Sequence, residues 1–188
     1  MKSLILIILW LFCIDQSVYS YYSPNYPIRV FSDTVPEFKI EKLFMEPMKV
    51  LYIADSVNLT EQISGKMGNA YAQIFGFIGQ KQLTSEKVMA IYHTLQPPFV
   101  FDAAVEVGDF PDELSGRIQS KTIQGGEAVR VHFKGPYSKL EIAYKAISEW
   151  IKQNNKQADG HPIEVYLNDP GTVNSMDDLL TDVYQFIK

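Results

Sequence analysis

The sequence predicts an α+β fold: two tandem strand–helix–strand–strand repeats with pseudo-two-fold symmetry around a central cleft. Three observations carry this expectation. Two segments place apolar residues at the 3, 4, 7 spacing of a one-faced helix. Short β-rich runs bounded by turn residues flank both segments. The two halves also align with each other: residues 70–78 (AYAQIFGFI) lie over residues 143–151 (AYKAISEWI), at an offset of 73. Ala-Tyr, Ile74/Ile147, Phe77/Trp150 and Ile78/Ile151 match in register, and downstream Tyr92 meets Tyr166 with one extra residue in the second copy. Self-similarity at a fixed period signals repeated architecture, and clefts at module interfaces are favoured small-molecule sites.

Taken in order, Lys49–Asp55 (KVLYIAD) reads as the first strand. Thr60 opens a helix whose stripe is Ile63, Met67, Ala70/Tyr71, Ile74 and Phe77/Ile78, with Gly79 as its expected stop. Lys87–His93 is a strand, Pro97-Pro98 breaks the chain, and Phe99–Val107 alternates apolar residues as a half-buried strand does. A short strand at Ile118–Ile123, a turn at Gly125-Gly126 and a strand at Glu127–Phe133 follow. Gly135-Pro136 ends that strand, and a second helix runs to Asn154 on Leu140, Ala143/Tyr144, Ile147 and Trp150/Ile151. Asp159-Gly160 reads as a turn, and Ile163–Asn168 and Thr181–Ile187 are the last strands.

The chain has 188 residues and is 46% hydrophobic, enough for one domain with a core. Its net charge of −5 and lack of a basic cluster argue against nucleic acid and anionic membrane surfaces as partners. Residues 1–20 read as a secretory signal: Lys2 precedes an unbroken apolar run of 11 residues from Leu4 to Ile14, too short to span a bilayer. Val18 and Ser20 fit the small positions of a cleavage site, so the cut is expected after Ser20 and the protein outside the cytoplasm, periplasmic or extracellular. Residues 21–44 read as an extended leader, with Pro24, Pro27 and Pro36 opposing helix, and residues 45–188 as the domain. Cys13 is the only cysteine, so removal of the signal leaves no disulfide, thiol nucleophile or Cys-based metal site. His93, His132 and His161 lack metal-ligand spacing, and no cofactor motif is present.

The second repeat carries a resemblance. Glu127–Phe133, Gly135-Pro136-Tyr137, the 143–151 helix, and the run from His161 to Pro170 (HPIEVYLNDP) stand in the order of the GyrI-like effector-binding domain family, found in AraC-type regulators. The terminal Thr181-Asp182-Val183-Tyr184 is similar to that family's last strand. The resemblance implies a stand-alone binder of cationic or aromatic small molecules with a Glu in an aromatic cleft, and no cofactor. Some relatives resemble hydrolases of reactive small molecules, and a protein-interaction module using the cleft or the N-terminal arm is the third reading.

Glu164 is the sharpest site candidate. It alternates with Ile163 and Val165 and so shares a strand face with Tyr166. The first repeat has Ala90 at the equivalent position, so one carboxylate breaks the duplication. A carboxylate in an apolar cleft is costly unless paired and acquires a raised pKa, which suits a cation anchor or a general acid/base. The alternative is a solvated edge residue. Tyr137, Tyr166 and Trp150 are the expected aromatic companions, Trp150 also fitting plain core packing. Glu106 is a second carboxylate candidate, more simply read as a surface residue.

Overall fold

A computed structural model describes residues 39–188. The expected signal segment and most of the expected leader lie outside the described residues. Eight strands form one antiparallel sheet: β1 (Ile40–Met45), β2 (Met48–Val57), β3 (Ser85–Tyr92), β4 (Phe99–Val107), β5 (Gln119–Ile123), β6 (Gly126–Lys134), β7 (Ala158–Tyr166) and β8 (Leu180–Ile187). Helix α1 (Ile63–Lys81) joins β2 to β3, and α2 (Glu141–Gln153) joins β6 to β7. The strand order is β1-β6-β8-β7-β3-β4-β2-β5. This order is a palindrome of the repeat: β6, β8 and β7 mirror β2, β4 and β3 across the β7/β3 pair.

Two features exceed the expected unit. Residues 40–44, assigned from sequence to the leader, are strand β1 and belong to the sheet. The alternation there is shallow and charged residues interrupt it, so no strand signal rises above the background. What makes it a strand is tertiary: it pairs with β6 from Ile40↔Val131 to Met45↔Gly126. Its counterpart β5 pairs with β2. Each repeat therefore lends its first strand to the other, and the two halves are interlocked. The β1–β2 and β5–β6 connections meet at Gly125, where an added Cβ would stand 2.6 Å from the Met45 carbonyl oxygen, so only glycine fits. Truncation through Met45 removes one buried and two half-buried apolar side chains and bares the β6 edge. A melting-temperature loss of more than about 10 °C is expected in a thermal melt.

Helix α1 passes the expected stop at Gly79 and ends two residues later. Gln82 takes the left-handed cap with φ 55°, and its N–H reaches the carbonyls of the last turn. Strand β7 starts at Ala158, before the expected turn at Asp159-Gly160, because the irregularity there is a bulge between Asp159 and Ile163 rather than a chain reversal.

Both helices cover the same face. A single row of Cα partners crosses the sheet: Ile53, Ala103, Ala90, Glu164, Val183, Val131, Ile40. Facing partners share a face. Ile53 and Ala103 pack on Ala70, Ile74 and Phe77 of α1, while Val183 and Val131 pack on Ala143 and Ile147 of α2. The row has one charged member, Glu164, at its centre. The other face holds a separate apolar cluster around Val50, Met89, Ile91, Ile163 and Val165. It also carries two buried aspartates at equivalent positions. Asp102 binds Lys121 and His93, and Asp182 binds Arg130 and His132. Among the described residues no helix is long and apolar enough to cross a membrane.

Candidate functional site

Glu164 lies on the axis of the repeat. Ala90, its counterpart in the first copy, is also its direct Cα partner across the β3/β7 pair. Two equivalent residues that face each other at the symmetry axis cannot both carry a charge cheaply, since like charges directly opposite in a sheet repel. That is the physical reason the duplication is broken here.

The carboxylate is only 4% exposed. The Tyr144 hydroxyl, from α2, donates to Oε1 at 2.7 Å. The Tyr166 hydroxyl, from the same strand, donates to Oε2 at 2.8 Å. Tyr137 leans on the Tyr166 ring at a centroid distance of 5.2 Å. Tyr92 stacks at a tilt on Phe101 at 6.0 Å. From α1, Tyr71 donates to the Met89 carbonyl oxygen at 2.9 Å, and Met67 lies in the same cluster as these rings. The five tyrosine side chains are half-buried around a buried carboxylate. They come from α1, β3, the turn before α2, α2 itself and β7, so both repeats build the cage.

Burial raises the Glu164 pKa above the usual carboxylate range, and the two tyrosine donors oppose that rise without cancelling it. Burial also raises the hydroxyl pKa of all five tyrosines, and the negative charge of Glu164 adds to each. They therefore remain protonated donors near neutral pH. Among the described residues no cation touches this carboxylate, so when ionised it is a desolvated negative charge without a counter-ion.

The structure brings together Glu164, Tyr166 and Tyr137 of the expected residues, and separates the other two. Trp150 is partly buried against the cluster that holds Val129, Val131 and Ile147, in the position of Phe77 in the first repeat. Its place on the helical stripe is core packing. Glu106 lies on the sheet face away from the helices, paired with Lys87 at 2.7 Å. Strand alternation decides this: Val105 and Val107 point to α1, so Glu106 points away. The sequence reading missed Tyr71, Tyr92 and Tyr144 as site residues. Their signal was present in the repeat, where Tyr71 matches Tyr144 and Tyr92 matches Tyr166. Two pairs of equivalent aromatics at the axis frame whatever stands between them. Among the described residues no cluster of three or more His, Cys, Asp and Glu has metal-holding geometry.

A duplicated strand–helix unit enclosing a buried carboxylate in an aromatic cage is the architecture of a small-molecule-binding module. A family model described as the GyrI-like small molecule binding domain matches residues 38–188, and the chain belongs to that family. No curated protein sequence matches the chain. Among solved structures it is similar to the EcmrR C-terminal domain, with a TM-score of 0.67 at 20% identity over 81% of this chain and 98% of that one. It matches 57% of the EcmrR chain in an EcmrR–DNA complex, with a TM-score of 0.66 at 20% identity over 80% of this chain. A hydrolase from Listeria innocua matches at TM-score 0.57 and 13% identity, over 80% of this chain and 92% of that one. SAV2435 bound to tetraphenylphosphonium matches at TM-score 0.57 and 13% identity, over 81% and 94%. At these identities the likeness is one of fold.

Proposed function

We propose that the domain binds lipophilic aromatic cations, with Glu164 as the anionic floor and the tyrosine rings as the walls. The observation that carries this reading is the buried carboxylate whose hydrogen-bond partners are all neutral hydroxyls. Such a site has unspent negative charge, and tyrosine faces attract cations directly. Both carboxylate oxygens already accept a hydrogen bond. A delocalised cation without N–H donors therefore fits better than a primary ammonium, which would compete for them. Access requires the half-buried rings to turn aside, and the flexible side chain of Met67 gives them room. The complex of SAV2435 with tetraphenylphosphonium is a precedent on the same fold.

Titration with tetraphenylphosphonium, followed by calorimetry, tests the reading. Tyr144→Phe removes one donor to Glu164 and leaves the ring. It is expected to change cation affinity by about tenfold or less, because the charge stays and only its anchoring is lost. Loss of all binding in Tyr144→Phe would show that the hydroxyl, not the charge, is the recognition element.

We further infer that the protein works outside the cytoplasm, on the strength of the charged, apolar and small-residue pattern of residues 1–20. N-terminal sequencing of the protein recovered from its producing cell is expected to begin at Tyr21; a retained Met1 would overturn cleavage. The hydrolase reading uses the same carboxylate as a general base. Both of its oxygens are held by tyrosine donors, which favours holding a cation over activating water. Product formation from an electrophilic substrate that disappears in Glu164→Gln would reverse that preference.

A further inference from the structure

A groove of about 390 Å³ lies on the sheet face away from Glu164. Its apolar lining includes Ile91 and Ile163, the residues next to Ala90 and Glu164 on the paired strands β3 and β7, together with Ile123 and Phe186. Lys121 and His161 stand on its border. The volume falls within the usual range of small-molecule sites.

The groove exists because the two repeats differ at this spot. In the first repeat the equivalent space is filled. Met48, 5% exposed, occupies it, and Lys87 lies against the Met48 sulfur at 3.9 Å while pairing with Glu106. In the second repeat the counterpart of Met48 is Gly126, as the pairings Met48↔Ile123 and Met45↔Gly126 show. The counterpart of Glu106 is Phe186, facing Ala128 as Glu106 faces Val50. The bulge that carries Lys87 runs from Ser85 to Val88. Its equivalent runs from Asp159 to Ile163, one residue longer, and carries His161. A methionine and an ion pair are thus replaced by a glycine, a phenylalanine and a wider bulge. The packing that closes one half is absent from the other, and bulges often re-aim side chains beside binding sites.

We propose that this groove is a second ligand site, independent of the cation site, which takes an amphipathic aromatic anion. The apolar body lies on Ile91, Ile163, Ile123 and Phe186, and the acidic head meets Lys121 and His161. The spare N–H donors of Lys121 favour an acidic head group. The Lys121 ammonium is shared between the Asp102 carboxylate, at 2.5 Å, and the Tyr52 ring, at 4.4 Å, and it keeps donors for a further acceptor. The carboxylates at the rim are already engaged: Glu127 with Lys42 and Lys156, and Asp159 with Lys188. Burial, with His93 and Lys121 nearby, holds the His161 pKa below the usual histidine range, so its ring is a neutral hydrogen-bonding partner at pH 7.

The test is a fluorescence titration with the anionic dye anilinonaphthalene sulfonate. Gly126→Met restores the packing of the first repeat. Gly126→Val fills less of the groove and suits a strand. A Cβ at this position meets the Phe186 ring at 3.5 Å, ordinary contact, so neither change strains the backbone. We expect saturable binding by the wild type, a loss of about threefold in Gly126→Val, and a loss of about tenfold or more in Gly126→Met. Both variants are expected to bind tetraphenylphosphonium as the wild type does, which reports that they are folded. Glu164→Gln is expected to keep the dye and lose the phosphonium, which separates the two sites. Dye affinity unchanged in both Gly126 variants would overturn the proposal. So would equal affinity for the neutral dye phenylnaphthylamine.

Discussion

Replacing Ala90 with glutamate is expected to cost roughly 3–5 kcal/mol of stability at neutral pH, enough to unfold a domain of ordinary stability. Ala90 is fully buried and directly faces Glu164. The new carboxylate would meet a buried one across a single strand pair, with no cation to compensate either. The pseudo-symmetry makes a sharper expectation. Tyr71 and Tyr92 occupy in the first repeat the places that Tyr144 and Tyr166 occupy in the second. Moving the charge with Ala90→Glu and Glu164→Ala together therefore offers the displaced carboxylate an equivalent pair of hydroxyls. The double variant is expected to recover most of the stability lost in Ala90→Glu alone, read by chemical denaturation. If single and double variants are equally unstable, the two halves of the cage are not equivalent.

The second large effect concerns ligand and pH together. Glu164→Gln keeps the shape of the side chain and removes the charge. Loss of a buried charge partner weakens binding by about 2–4 kcal/mol, so tetraphenylphosphonium affinity is expected to fall by at least about thirtyfold. Without ligand the same change is expected to stabilise the protein above the Glu164 pKa, because it removes a desolvated charge. The sign follows from the direction of the shift. Glu164 has a raised pKa in the folded state, so its protonated form favours folding. That contribution is complete below the ordinary value of 4.5 and is lost as pH rises through the raised folded value. The melting temperature of Glu164→Gln minus that of wild type is therefore expected to grow as pH increases above 4.5, and to be flat below it. A difference independent of pH would mean that Glu164 is not desolvated.

Much of this site was readable from sequence, because a duplicated chain contains its own alignment. The Ala90/Glu164 mismatch stands out in that alignment as the break in the duplication, and strand alternation puts Tyr166 beside Glu164. Trp150 could not be placed in this way. A residue on an apolar helical stripe looks the same whether it faces a ligand or the flank of the sheet, and only the packing of α2 on β6 and β8 decides. Strand β1 was invisible for a related reason. Its pairing partner β6 lies far along the chain, and edge strands need little hydrophobic patterning of their own. The groove required both halves in three dimensions, since it comes from what Gly126 and Phe186 fail to fill.

The central claim, that a desolvated carboxylate caged by tyrosines recognises a lipophilic cation, is tested most directly by wild-type affinity for tetraphenylphosphonium as a function of pH. The ligand carries a permanent charge, so only the protein titrates. Saturable binding that tightens as pH rises above 4.5, toward a plateau where Glu164 is ionised, is the expected result. Binding that is absent at every pH, or equally strong across the range, would contradict the account.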